Sequence, residues 1–377
     1  MKSVVITVSN DLVTDQRVQR SISVLLDEGF QVNFVGRKLP ASQDFDPKYE
    51  YHRFKLWFHK GFLFYAQLNI WLFFYLLFRK PYDLYWANDL DTLWPNYLVA
   101  RLRRKPLIYD SHEYFCGVPE IQGRPLVKAV WQGLEKRIFP KLKWVLTVNN
   151  SIADLYEKDY GIRPRVLRNV GNSLLPENWK SRLELGLPEN AFLMVNQGAG
   201  INVDRGMEEV LEALVGLDSN IYLMIIGKGD VLPFLKERAQ KADLKGRVHF
   251  MDPMPYVDML RYTVVADLGL SLDKDSNINY RFSLPNKVFD YIKCGIPILA
   301  SKVVEVQNLV EGEGIGLCSD VEPKALQEKI REIQALGKAH FKEALADAAK
   351  KHSWEKEQQV IRELLVEIGL NQSVQAE

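Results

Sequence analysis

The sequence predicts an α/β protein of two domains, each a doubly wound parallel sheet. Short apolar runs alternate with stretches of helical period along almost all of the 377 residues, as parallel strands alternate with crossover helices. A polar, aperiodic stretch from Gly171 to Asn178 divides this alternation into two series and reads as a linker. The polar and glycine residues that break the pattern fall just behind the apolar runs, where open parallel sheets bind their ligands. Length agrees, because a single hydrophobic core stops growing well below this size. The expected division is 1–172 and 173–352.

In the first series, residues 4–8 form a strand, and Asp15 opens a helix that runs to about Glu28. Strands follow at 31–35 and 51–57. The next segment, 61–78, is aromatic throughout, is interrupted by Gln67 and Asn69, and is flanked by His59-Lys60 and Arg79-Lys80. A spanning helix needs about 20 apolar residues, so this run reads either as a buried helix or as a helix lying at a bilayer surface. Strands at 84–87, 107–109 and 145–148 complete the series, with a helix over 92–103 whose first turn carries acids suited to its dipole.

The second series has strands at 192–195, 221–226, 248–251, 268–272 and 298–300. Between the last two lies the most informative segment of the chain, Ser283-Leu284-Pro285-Asn286-Lys287-Val288-Phe289-Asp290, which leads into a helix stopped by Gly295 and Pro297. Proline at the first turn loses no hydrogen bond, and the free amides of a helix N-terminus favour an anion. Lys287 adds a compact positive charge suited to phosphate. Asp290, which a phosphate would repel, suits a ribose diol instead.

Ser283, Leu284 and Asn286 belong to the same expected site. Further upstream, Gly198 and Gly200 allow close backbone approach, and Asp204 as N-cap would leave Arg205 in the first turn of a helix, free to grip a diphosphate with its fork. The Gly227-Lys228-Gly229 turn lacks the Lys-Ser/Thr pair of a phosphate-binding P-loop and reads as a supporting wall.

In the first series Asn10 and Asp11, Asn88 and Asp89, and Asp110-Ser111-His112-Glu113 each follow a strand. Any one group alone would be a turn; together they mark one edge as a site. Asp15 and Arg17 open the first helix beside it, and His112 is the titratable group suited to proton transfer or sugar contact. The pairs Asp89/Asp91 and Asp273/Asp275 have the form that can hold a divalent cation but read better as caps. Nothing has zinc-ligand spacing, so no obligatory metal is expected.

Lys and Arg number 49 against 48 Asp and Glu, which argues against a broad nucleic-acid surface. The three cysteines, Cys116, Cys294 and Cys318, are scattered and odd in number, and the N-terminus enters a strand without a signal-like segment. A reducing cytoplasm is expected.

The segment Tyr109 to Glu113, the loop from Gln197-Gly198 to Arg205-Gly206, the turn Ile226 to Gly229 and the helix from Pro285 to Pro297 occur in the order used by family 4 glycosyltransferases of GT-B fold, which this chain resembles over nearly its whole length. That resemblance implies two Rossmann-like domains facing across a cleft. The segment Ser353-Trp354-Glu355 resembles the start of the helix, here 353–377, that returns to the N-terminal domain.

The resemblance further implies a nucleoside diphosphate-sugar donor, UDP- or GDP-linked, a glycan or lipid-linked acceptor, and retention of anomeric configuration. Arg205 and Lys287 would hold the diphosphate, Asp290 the ribose, His112 the transferred sugar, and Asn10 to Arg17 the acceptor side. Two positions depart from the pattern: Phe282 stands where the first of two spaced glutamates is expected, and Ala199 where a basic residue is expected. An epimerase of the same fold and a nucleotide-sugar-binding subunit without turnover are the alternatives. The basic-flanked aromatic segment suggests peripheral contact with the inner face of the cytoplasmic membrane and a glycolipid or surface-polysaccharide pathway.

Overall fold

The computed structural model describes residues 1–370 except 14, 41, 172–174, 176–178 and 180. Most of the expected linker, and residues 371–377 of the expected last helix, lie outside the described residues. The chain divides into two compact units, Met1–Asn169 with Glu357–Glu377, and Val170–Lys356.

The first unit is built on β1 (Ser3–Asp11), β2 (Gln31–Arg37), β3 (Glu50–Phe54), β4 (Leu84–Asn88), β5 (Leu107–Ser111), β6 (Trp144–Thr147) and β7 (Arg165–Val166). They form one sheet in the order β3-β2-β1-β4-β5-β6-β7, with every pair parallel. Its helices are α1 (Gln16–Asp27), α2 (Gly61–Phe78), α3 (Leu90–Arg103), α4 (Pro119–Gln122), α5 (Pro125–Ile138) and α6 (Asn150–Tyr160). The inner strands are apolar on both faces because helices cover both, and Ile6, Phe34, Tyr85, Trp86 and Tyr109 are fully buried. The strand order reverses between β1 and β4, so their carboxyl ends diverge and leave a crevice.

Asp15 caps α1 by accepting from the amide of Val18 at 3.2 Å, as its sequence position predicts. Within α2 the two polar interruptions are structural. Buried Gln67 accepts from the amides of Trp57 and Phe58 at 3.0 and 3.2 Å, and Asn69 donates to the carbonyls of Tyr65 and Asp91. Phe64, Leu68, Leu72 and Leu76 face inward.

The second unit carries β8 (Phe192–Gly198), β9 (Ile221–Gly227), β10 (Val248–Met251), β11 (Leu268–Ser271), β12 (Ile298–Ser301) and β13 (Gly316–Ser319) in the parallel order β10-β9-β8-β11-β12-β13. Here the reversal falls between β8 and β11. Its helices are α7 (Met207–Val215), α8 (Leu232–Ala239), α9 (Tyr256–Thr263), α10 (Ile278–Arg281), α11 (Asn286–Lys293), α12 (Val304–Glu313) and α13 (Pro323–Lys351), followed by α14 (Trp354–Glu367), whose residues from Glu357 belong to the first unit.

Strands β7 and β13 are additions to the sequence reading. One has only two residues, and the other, Gly-Leu-Cys-Ser, lacks an apolar run. Several strands also extend beyond their apolar stretches, so that Asn10, Asp11, Asn88, Asp110, Gly198 and Gly227 are strand-terminal residues rather than loop residues.

The two glycine loops of the second unit lie against each other. Lys228 N donates to Gly198 O at 3.2 Å and Ile201 N to Lys228 O at 3.0 Å. A Cβ on Gly227, whose φ is +135°, would stand 1.8 Å from Gly198 O, and one on Gly229 would stand 1.8 Å from Ile201 O. These two glycines therefore serve loop-on-loop packing. Gly227→Ala is expected to lower stability by roughly 2–4 kcal/mol through strain and overpacking. Urea denaturation checks this, and a midpoint equal to wild type would contradict the packing role.

Candidate active site

The carboxyl edge of the second sheet gathers Arg205, Asp273, Tyr280, Lys287 and Asn196. Arg205 does not open a helix as expected. Asp204 adopts φ +66° and Gly206 φ +77°, so α7 begins only at Met207 with Gly206 as its cap. A side chain at 206 would strike Leu272 O at 2.5 Å, which makes glycine necessary there.

Arg205 is instead held in the turn before the helix. Its Nη1 donates to Asp273 Oδ2 at 2.8 Å, and its guanidinium lies 4.4 Å from the ring centroid of Tyr280. Burial opposes its charge, but Asp273 more than compensates and raises its pKa. Its Nε, and the Ser283 hydroxyl nearby in sequence to α11, are buried without a partner among the described residues. Each buried donor left unpaired in a fold calls for an explanation.

Lys287, on the first turn of α11, donates from Nζ to Asn196 Oδ1 at 2.7 Å. Burial pushes its ammonium down to about 8, with Asp273 pulling upward and Arg205 adding repulsion. Two cations thus face one edge with a single carboxylate between them, an arrangement suited to a dianion. Lys228 is exposed on the adjoining turn, as is Asn286 at the helix start, while Leu284 is half-buried.

Asp290, the residue expected at the ribose, is bonded within the second unit. It is 4% exposed, and its two oxygens already accept from Gln197 Nε2 at 2.9 Å and from the Tyr256 hydroxyl at 2.6 Å. Gln197 in turn accepts from Thr263. The carboxylate stands at the centre of a network joining β8, α9 and α11.

The edge of the first sheet is organised around His112. Its amide donates to Asp89 Oδ1 at 2.9 Å, its Nδ1 lies 3.3 Å from Asp89 Oδ2, and its Nε2 lies 3.2 Å from Asn88 Oδ1 and 3.6 Å from Asp110 Oδ2. Burial favours the neutral ring, but Asp89 first and Asp110 next outweigh it and lift the imidazole to about 9. The two carboxylates thus favour the protonated, hydrogen-bond-donating ring. Asp89 holds φ +58°, a conformation costly for a non-glycine residue, and makes no cap bond to α3. The strain aims its carboxylate at His112.

Three residues expected on the acceptor side are internal supports. Arg17 is buried and grips Asp110 with two bonds, Nη2 to Oδ1 at 2.6 Å and Nε to Oδ2 at 3.1 Å, while Nη1 donates to Leu167 O. Buried Asp11 accepts from the Val13 amide and from Ser42. Buried Asn88 donates to Thr7 O. Asn10 and Glu113 are exposed, and Asp15 is spent on its cap.

Sequence reading missed Asp273, Asn196, Tyr280 and Tyr256 as site residues. Asp273, weighed only as one of a pair of caps, had a usable signal in directly following the expected strand 268–272; the tyrosines had none. Asp91, read as a cap, is buried on α3, and burial with the Asp89 charge pushes it up to about 7.

Comparison with known proteins agrees with this architecture. The family model described as Glycosyltransferase Family 4 matches residues 16–172, and that described as Glycosyl transferases group 1 matches 177–352. A curated chitobiosyldiphosphodolichol beta-mannosyltransferase from Yarrowia lipolytica is 30% identical over 115 residues, 29% of this chain; the match spans 24% of that protein's length.

Among solved structures, sucrose-phosphate synthase from Thermosynechococcus elongatus superimposes with a TM-score of 0.79 at 18% identity, covering 98% of this chain and 99% of that one. HepE from Anabaena, in complex with UDP and glucose, gives 0.73 at 16%, covering 97% and 100%. WaaG, a glycosyltransferase involved in lipopolysaccharide biosynthesis, gives 0.68 at 16%, covering 95% and 99%. These likenesses establish the GT-B fold, two parallel-sheet α/β units of seven and six strands.

Proposed function

The chain belongs to the family 4, group 1 glycosyltransferases, and from that premise we propose that it moves a sugar from a nucleoside diphosphate donor to an acceptor hydroxyl with retention of configuration. The observation that carries the donor assignment is the pair Arg205 and Lys287 at one sheet edge, with Arg205 Nε and Ser283 Oγ open.

In the proposed reaction the bond between the sugar C1 and the diphosphate oxygen breaks while the acceptor oxygen bonds to C1. The acceptor proton passes to the departing phosphate. Arg205, Lys287 and the α11 amides stabilise the charge that grows on that phosphate, so no protein base is required. His112 is proposed to orient hydroxyls of the transferred sugar, since its two carboxylate neighbours favour a hydrogen-bond-donating ring. Asp290 supports the ribose through the Gln197 and Tyr256 network; direct contact would require Tyr256 to turn away.

The acceptor is proposed to be a glycolipid of a surface-polysaccharide or related pathway, met at the cytoplasmic side of a membrane. The outer face of α2 supports this. Phe62 and Phe78 are 73% and 80% exposed, Leu63, Ile70 and Phe74 are also exposed, and the 18-residue helix carries no charged side chain. A solvent-facing helix side is normally polar, whereas aromatic residues on such a side suit a bilayer interface.

The test is calorimetric titration with UDP, GDP and their sugar conjugates in EDTA, followed by donor consumption with glycolipid extract. Micromolar binding of one nucleotide without metal and sugar transfer with retained configuration are expected. Binding without consumption would replace the enzyme reading with that of a binding subunit.

A further inference from the structure

The two oxygens of Asp290 have unlike partners. Oδ2 accepts from Gln197, which is buried, and Gln197 is in turn bonded by Thr263, which is fully buried. This half of the network lies inside the core, where a broken bond is not replaced by water. Oδ1 accepts at 2.6 Å from the hydroxyl of Tyr256, the first residue of α9, which is half-buried. One partner is therefore fixed, while rotation of a single side chain would return the other to water.

Gly171 lies against the second partner. A Cβ at this position would strike the Tyr256 hydroxyl and stand 3.4 Å from Asp290 Oδ1. The second unit begins at Val170, so its first residues lie across the bond from Tyr256 to Asp290, and the lack of a side chain at 171 leaves room for the phenol. Lys293 Nζ lies 5.7 Å from the Tyr256 ring centroid, near the outer limit of a cation–π contact, and adds little to what holds the ring.

A carboxylate that is 4% exposed and already bonded on both oxygens takes a ribose hydroxyl by exchange. We infer that Tyr256 is the group exchanged. Its hydroxyl occupies Asp290 Oδ1 in the free protein and leaves when a ribose hydroxyl arrives, so Tyr256 sets the affinity of the donor site and how strongly that site distinguishes ribose from deoxyribose. The inference rests on the donor reading proposed above, in which Asp290 serves the ribose, and names the residue that regulates that contact.

The exchange replaces one neutral O–H donor to a carboxylate by another, so in wild type the ribose gains little from it. With the phenol hydroxyl removed, Asp290 Oδ1 lacks that bond in the free protein, and the arriving ribose hydroxyl contributes in full.

The experiment is calorimetric titration of the whole protein, wild type and Tyr256→Phe, with UDP, GDP and the 2′-deoxy and 3′-deoxy forms of each. Tyr256→Phe is expected to bind the ribonucleotide roughly 10-fold tighter, the weight of one hydrogen bond to a charged group. It is expected to bind the form lacking the exchanged hydroxyl within about twofold of wild type. Gly171→Ala keeps Tyr256 but crowds its phenol off Asp290, and a shift in the same direction is expected. That variant carries the test if Tyr256→Phe does not fold, which thermal melting of each protein without nucleotide decides.

A nucleotide bound by Tyr256→Phe and not by wild type would support the exchange. Equal ribonucleotide affinities in wild type and variants overturn it and leave the donor reading intact, as does tightening shared equally by the deoxy forms. Weaker binding by Tyr256→Phe would make the phenol a ligand contact and also overturn the exchange. Binding of no nucleotide by any of these proteins overturns the donor reading itself, and the exchange with it.

Discussion

Replacing Arg205 by glutamine is expected to lower kcat/KM for the donor by roughly 10²–10³-fold, the usual effect of removing one group that stabilises charge in the transition state. The reason is geometric. Asp273 and Tyr280 fix the guanidinium, so that in the proposed complex its fork would need no reordering at the moment of reaction.

Arg205→Lys is the sharper probe. It keeps the charge but loses both the fork and the planar face that stacks on Tyr280, so it is expected to recover only a small part of the activity. Glutamine is preferred to alanine because Asp273 is buried and would be left without a donor. Equal melting temperatures for wild type and the glutamine variant would show that the fold is retained. Donor affinity within twofold of wild type would remove Arg205 from the site.

Raising the pH from 7 to 10 is expected to act at two places that can be separated. Lys287 loses its proton near 8 in the free protein. The kcat/KM for the donor should therefore fall above pH 8, while kcat at saturating donor falls later, because bound diphosphate holds the proton on. Lys287→Arg keeps its charge throughout, and its profile should stay level to about pH 10. A wild-type profile equally level would show that the ammonium does not meet the donor.

His112 governs stability over the same interval with its own sign. Its folded value of about 9 lies above the usual 6.5, so the imidazolium contributes stability in full below pH 6.5 and loses it as pH rises through 9. The melting temperature of wild type relative to His112→Gln should shrink between these limits. A constant difference would mean that the ring is neutral in the fold.

Much of this was readable in the chain because it depends on local rules. The alternation of apolar runs and helical periods defined most strands of both sheets. Asp15 was identifiable as a cap, since its side chain needs only the amide of Val18, three residues on. The order of Asp110-Ser111-His112, Gly198, Arg205 and Lys287 marked the two edges.

The tertiary structure alone decided what each marked residue does. Arg17 and Asp110 are 93 positions apart, and only the fold, which brings the first turn of α1 to the carboxyl end of β5, shows that Arg17 grips Asp110. Asp273 became a partner of Arg205 because β11 lies next to β8 at the reversal of strand order, a neighbour relation that no spacing in the sequence encodes. The raised pKa of His112 likewise follows from Asp89 and Asp110, 21 positions apart in sequence, outweighing the cost of its burial. Sequence fixes propensity and period, which act over a few residues, whereas burial and Coulomb interaction depend on distances through space that exist only once the chain has folded.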